Sequence, residues 1–429
     1  MFTSRNCLIV LLVLLALAGT DVFLRLRPCF SHPDQAPENT AELSVLGEAP
    51  DWEKLNTYQN TITRADFERL LTTVFTIGPA WHEFIEINDQ EALIHTGPAK
   101  SPGIFHLHFA PPGTVVRARH DWKAAADLPP APAGKPLDGL RIAIDPGHIG
   151  GQWAKIEERW FVSGGGKPVC EGELTLTVAK LLKPRLEALG ATVLLVRSKC
   201  EPVTTQRPES LFSVARYSQE PAGSPAGLQK VAERLFYRTA EIRARAKLVN
   251  QSLKPDLVLC LHFNAEDWGN PNQPTPTKQS HLHLLVNGAY SGSEIALTDQ
   301  RFDLLEKLLG GCHDEESRAA ATIAKTFAQA SGLPPFSYQV DSAKALPVDG
   351  NPYLWARNLL ANRLYRCPVV YTEPYVMNSD SDLPRIQAGD YDGLREINGK
   401  PRPSIFREYA DAVAAGLAKY YTENRKAVK

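Results

Sequence analysis

An α/β fold with a largely parallel central sheet flanked by helices, preceded by a small α+β module, is what the sequence predicts, and three observations carry that expectation. From Leu140 onward, short apolar runs alternate with stretches of helical periodicity. Two of those runs, ATVLLV and DLVLCL, are apolar on both faces, as interior strands covered by helices require. A proline-rich stretch, DLPPAPAGKPLDG from Asp127 to Gly139, separates this region from an earlier one of different pattern.

The chain opens with Arg5 ahead of an apolar run from Cys7 to Ala18, with small residues at Ala16 and Ala18, the pattern of an export signal. The run is shorter than the roughly 20 apolar residues of a spanning helix, and Asp21, Arg25 and Arg27 interrupt any extension. Residues 1–28 are therefore expected to be a signal peptide, cleaved after Ala18, or else an N-terminal membrane anchor. Either outcome implies an exported protein of the periplasm or cell envelope. Residues 29–49, polar and proline-containing around SHPDQAPENTAE, read as a linker.

In the module expected over 50–126, Thr63 caps a helical stretch, TRADFERLLTTVF, while EFIEI, ALIHT and GIFHLHFA read as short strands. Its Trp52, Trp81 and Trp122 suit either a core or stacking on sugars. The linker of 127–139 leads into the main domain, 140–424. There LRIAIDP, ATVLLVR, DLVLCLHFN, LHLLVNG and PVVYTEP read as strands. Helices are expected over Leu174–Leu189, with Pro184 as a point of kinking or division, over Thr239–Asn250 and near Glu315–Ser331.

The 47 basic and 48 acidic residues nearly cancel, which argues against a partner such as nucleic acid. Seven cysteines are present without a close CxxC pair, so they are not expected to be metal ligands. Export leaves Cys29, Cys170, Cys200, Cys260, Cys312 and Cys367 open to disulfide pairing, which sequence alone does not resolve.

In a sheet of this kind, functional groups gather beyond the carboxyl ends of strands. His148 follows RIAIDPG, His262 lies in VLCLHFNA, Glu373 follows CPVVYT, and Glu171 stands just ahead of a helix. Two histidines and one carboxylate meet the donor requirement of a catalytic zinc with one position left open, and a further carboxylate can serve as general base. Gly147, Gly150 and Gly151 allow a tight turn around His148. Asp145 suits a role in fixing that turn. The pairs His106/His108 and His281/His283 place imidazoles on one strand face; both read as structural, although the second pair stands close enough in sequence to His262 to line a cleft.

The segments IAIDPGHIGG, CEGELTLTVAKLL, ALGATVLLVR, RAKLVNQSLKPDLVLCLHFNA and CPVVYTEPYVMN, in that order over Leu140–Asn378, resemble the zinc-dependent N-acetylmuramoyl-L-alanine amidases. The resemblance implies a central sheet flanked by helices, Zn2+ ligation by His148, Glu171 and His262, and Glu373 as the catalytic glutamate. Glu171 is preferred over Glu173 by the family's spacing to Leu176 and Ala179. The implied substrate is peptidoglycan, cut between N-acetylmuramic acid and L-alanine. Alternatives are a zinc peptidase or deacetylase acting on another exported amide, and a non-catalytic wall-binding or regulatory protein.

The chain departs from the family pattern in several places. Ile149 and Leu261 replace a glycine and an isoleucine, and PYVMN after Glu373 brings in Pro374 and a shorter spacing that bear on the position of the glutamate. The insertion Ser198–Thr239 is expected to shape substrate access. Because some family members block the metal with a helix that a partner displaces, Glu294–Leu309 is expected to gate the site, with an activator protein as partner. Arg197 and Arg245 match basic positions of the pattern, and surface or structural ion pairing is the expected role of each.

Overall fold

The computed structural model describes residues 43–98, 103–114, 120–218, 223–338 and 344–426, all within one compact unit. The export segment and the linker up to residue 42 lie outside the described residues. Among those described, no helix is long and apolar enough to cross a membrane.

The N-terminal region follows its local signals. The Thr63 hydroxyl accepts from the Asp66 backbone N–H at 3.2 Å, capping the helix Arg64–Leu70. Strands β1 (Ile85–Ile87), β2 (Glu91–His95) and β3 (Ile104–His108) pair antiparallel in that order. Alternation along β3 buries Phe105 and Leu107 and leaves Ile104, His106 and His108 on the open face. Trp81 and Trp122 are buried, and Trp52 packs on the core. Leu55, Phe67, Ile94 and Leu107 belong to the same apolar core as Ile142, Leu259 and Leu284 of the main sheet. The stretch from Asp127 to Gly139 forms turns with Leu128 and Leu137 buried, and Arg425 donates to the carbonyls of Pro129, Pro136 and Asp138 at 2.8–2.9 Å.

The main sheet is built from β4 (Arg141–Pro146), β7 (Thr192–Leu195), β8 (Leu257–Leu261), β9 (Leu282–Val286), β10 (Leu346–Pro347), β11 (Leu354–Ala356) and β12 (Val369–Pro374). A two-stranded hairpin of β5 (Trp160–Phe161) and β6 (Val169–Cys170) lies apart from it. The strand order is β10-β11-β9-β12-β8-β4-β7. The neighbours β11/β9, β12/β8, β8/β4 and β4/β7 are parallel, whereas β12/β9 and β10/β11 are antiparallel. All five residues of β8 are buried, as its two-faced apolar pattern requires. The helices Glu171–Ala188, Cys312–Ser331 and Ile405–Asn424 pack together over one face. On the other face Ala246 and Val249, from a helical run spanning Pro225–Leu253, meet Val258 and Cys260. Because β4, β8 and β12 run parallel side by side, their carboxyl ends emerge at one edge, which brings together His148 and His262, just beyond β4 and β8, and Glu373, in the last residues of β12.

Pro184 does not divide its helix, which runs unbroken for 18 residues. Pro184 faces solvent, so the carbonyl it leaves without a partner is open to water.

The insertion Ser198–Thr239 is largely helical and packs its Leu211, Val231 and Phe236 around Ile149 and Trp153. It braces the turn that follows His148; none of its described residues lines the cavity at the site. The gating expectation is also corrected. Glu294 caps a short turn of helix, accepting from Ser291, and the helix Thr298–Leu309 lies buried against the N-terminal region. Its Arg301 donates to the carbonyls of His95 and Gly97, and Lys307 binds Glu316 and the Cys367 carbonyl. No residue of Glu294–Leu309 lines the site cavity. The five described cysteines, Cys170, Cys200, Cys260, Cys312 and Cys367, are all free thiols.

Candidate metal centre

The turn after β4 is shaped by crowding. A Cβ on Gly147 would fall 2.3 Å from the His262 ring, so only glycine lets the two histidine-bearing loops close on each other. His148 itself adopts φ 58°, a left-handed conformation that turns its side chain into the site. Gly172, next to Glu171, makes a similar approach: a Cβ there would lie 2.3 Å from the Gly150 nitrogen. The start of the Glu171–Ala188 helix is thereby pressed onto the His148 turn.

Three donors converge. His148 Nε2 lies 3.1 Å from Glu171 Oε2, and His262 Nδ1 lies 3.1 Å from Glu171 Oε1. All three ligand atoms fall within 4.8 Å of one another, the only such group of metal-compatible side chains among the described residues. Glu171 is buried, whereas Glu173 points outward. Two imidazole nitrogens and a carboxylate oxygen are the donor chemistry zinc takes with an open position, so the residues present fit that ion.

The electrostatics follow from closeness. Burial by itself would lower the His148 imidazole, but Glu171 and Glu157 outweigh it and push it up to about 9. Burial would raise Glu171, but His148 and His262 hold it well below the usual carboxylate range. Glu373 shares the cavity with the three donors and is raised above the ordinary value, chiefly by burial, with Glu171 adding to the rise and His262 opposing it. A carboxyl lifted in this way is a better proton acceptor than an ordinary one.

Behind the donors lies a framework of which sequence singles out Asp145, Arg197 and Arg245 but not Glu157. Glu157 accepts from the backbone N–H groups of Ile149 (2.8 Å) and Gly150 (2.9 Å), with its carboxylate 3.6 Å from His148 Nδ1. Two arginines hold the same turn by its carbonyls. Arg245 donates to Pro146 (2.9 Å) and His148 (2.8 Å) while pairing with Asp145 and Glu241; Arg197 donates to Pro146, Gly147 and Gly172. Both are buried, so the surface role considered for them is excluded, and Asp145 fixes the turn through Arg245 and the Tyr365 hydroxyl. His262 stacks on Tyr371 (4.9 Å, 19°), and the Tyr409 hydroxyl donates to the His262 and Thr372 carbonyls at 3.1 Å.

Strand β12 continues through Pro374, and the Asn264 side chain donates to the Glu373 carbonyl, holding the glutamate at the cavity despite the altered segment that follows. The cavity, about 430 Å³, is also walled by Arg159, Trp268 and Arg357. Arg159 Nε sits 3.2 Å from Glu171 Oε2. No periodicity marks Glu157, Arg159 or Arg357; they reach the site only through the chain's tertiary course. His281 and His283 stay outside the cavity walls, with His283 buried beneath Phe336 and Tyr338.

No family model matches this chain, and no curated protein matches it. Solved structures it resembles include an N-acetylmuramyl-L-alanine amidase from Mycobacterium smegmatis, at 16% identity over 67% of this chain and 99% of that one, with a TM-score of 0.37. An N-acetylmuramoyl-L-alanine amidase of Nostoc punctiforme is 16% identical over 66% of this chain and 98% of that one, with a TM-score of 0.35. The CwlD amidase from Clostridioides difficile, solved in complex with the GerS lipoprotein, is 15% identical over 66% and 98%, with a TM-score of 0.36. At that distance the chemistry has to be argued from the site's own geometry.

Proposed function

We propose that this protein is an exported zinc amidohydrolase that cuts the amide between N-acetylmuramic acid and L-alanine in peptidoglycan. The observation that carries the reading is the convergence of His148, Glu171 and His262 within 4.8 Å, in a cavity that also holds Glu373. When bound by the three donors, zinc supplies a Lewis acid that polarises the scissile carbonyl and acidifies water. Glu373 takes the proton from the attacking water and returns it to the leaving amine nitrogen. Burial raises its proton affinity, which favours its role as the proton acceptor. Arg197, Arg245 and Glu157 keep the His148 turn from relaxing, and Tyr371 and Tyr409 do the same for His262.

The motif resemblance supports a muramoyl-peptide substrate over another exported amide. The unbroken course of β12 through Pro374 leaves the non-catalytic alternative without its main support. The test is a muropeptide digest. Purified full-length protein with zinc should release stem peptides bearing a free L-alanine amino end. Release of free acetate, or cleavage within the stem peptide, would replace this reading with a deacetylase or a peptidase.

A further inference from the structure

Arg357 is a cation of the metal corner that lies near enough to Glu373 to oppose the rise of its carboxyl without forming an ion pair with it. It walls the same cavity as His148, Glu171, His262 and Glu373, yet no carboxylate among the described residues forms an ion pair with it. Arg159, the other guanidinium there, is already committed to Glu171.

The side chain is held in one direction. Beyond the end of β11, the Arg357 backbone N–H donates to the Val286 carbonyl at 3.0 Å. Its Nη1 donates to the Tyr338 hydroxyl at 3.2 Å, with the guanidinium 5.7 Å from the Tyr338 ring centre. The hydroxyl in turn sits 3.3 Å from Nε2 of the buried His283. A guanidinium offers five N–H donors, and this tether engages one nitrogen, leaving an oriented fork with no further hydrogen-bond acceptor among the described residues. Such a fork matches a carboxylate. Glu266, Asp267 and Glu373 line the same cavity and repel an anion from the rest of its wall.

We propose that Arg357 is a specificity-determining residue that receives a free carboxylate of the substrate within the cavity of the metal corner. The inference rests on the amidohydrolase reading, because stem peptides of peptidoglycan carry carboxylates that are free in some walls and amidated in others. It goes further by making the enzyme distinguish the two.

The experiment compares two soluble muramoyl-peptides, identical except that one free carboxylate is replaced by a primary amide, with zinc-loaded full-length protein. The expected result is a preference for the acid of roughly 10- to 100-fold in kcat/KM, expressed in KM, as loss of a charge-assisted contact requires. Arg357→Gln should raise KM for the acid to that for the amide, and Arg357→Lys should restore part of the preference. Equal use of both peptides by the wild type, or equal loss on both in Arg357→Gln, overturns the inference and leaves the amidohydrolase reading standing. If the wild type cleaves neither peptide, that reading fails, and calorimetric binding of the two peptides decides the inference separately. Acid-selective binding that Arg357→Gln abolishes upholds it; equal binding or no binding overturns it.

Discussion

Among the described residues, two places bring two imidazoles to one carboxylate at similar distances, and they differ in burial and in what holds them. At the sheet edge, His148 and His262 meet Glu171 at 3.1 Å each, with side-chain exposures of 17%, 15% and 3%. On the open face of the N-terminal sheet, His106 and His108 meet Glu91 at 3.0 and 3.4 Å, with exposures of 54%, 56% and 20%. The outer trio is free to rotate into water and does not bring its ligand atoms together as the inner one does. The inner trio is gripped through its backbone by buried arginines, a buried glutamate and a tyrosine hydroxyl. The lesson is that donor identity alone does not single out a site, whereas donors held in place by surrounding hydrogen bonds make a candidate metal centre.

The comparison breaks most strongly at the framework. Arg245→Met strips the charge from a buried cluster and leaves Asp145 and Glu241 without their cation, at an expected cost of about 3–5 kcal/mol. Urea unfolding checks the figure, and a change below about 1 kcal/mol would show that the grip on the turn lies elsewhere. Glu157→Gln is gentler. It should weaken zinc affinity about 10- to 100-fold, as loss of a group supporting a ligand does, with little change in secondary structure; competition with a chelator measures it.

A third histidine sharpens the contrast between burial with and without a carboxylate. His283 is buried with His281 and Arg357 nearby, and its imidazole is pushed down to about 3, the opposite of His148. The unfolded chain therefore binds this proton more tightly, so stability is lost as pH falls from about 6.5 towards 3. His283→Gln should flatten the slope of unfolding free energy over that window, and an unchanged slope would assign acid sensitivity to other groups. The smallest effect belongs to the outer trio. His106→Asn combined with His108→Asn should leave zinc stoichiometry and unfolding free energy unaltered, within about 0.5 kcal/mol. Loss of a bound zinc in that variant would erase the distinction between the two sites.

Much of the fold is legible in the sequence because strand and helix periods are local properties. LRIAIDP, DLVLCL and PVVYTEP declare themselves as strands, and Thr63 declares a helix start. The site donors are legible for a related reason: each stands at the end of a recognisable element. Their supports are less so: Arg197 and Arg245 match basic positions of the motif, but that they and Glu157 act on backbone atoms of the His148 turn shows only in the fold. The gating expectation for Glu294–Leu309 fails on similar grounds. In the fold its Arg301 and Lys307 satisfy buried carbonyls and Glu316, which hold the helix away from the site.

Zinc content and turnover, measured together on two variants, test the central claim most directly. The wild type and Glu373→Gln should each retain about one equivalent of zinc, with turnover abolished in the variant, while Glu171→Gln should lose both metal and turnover. Full turnover in Glu373→Gln, or an equivalent of zinc retained by Glu171→Gln, would contradict a metal held by His148, Glu171 and His262 beside a glutamate base.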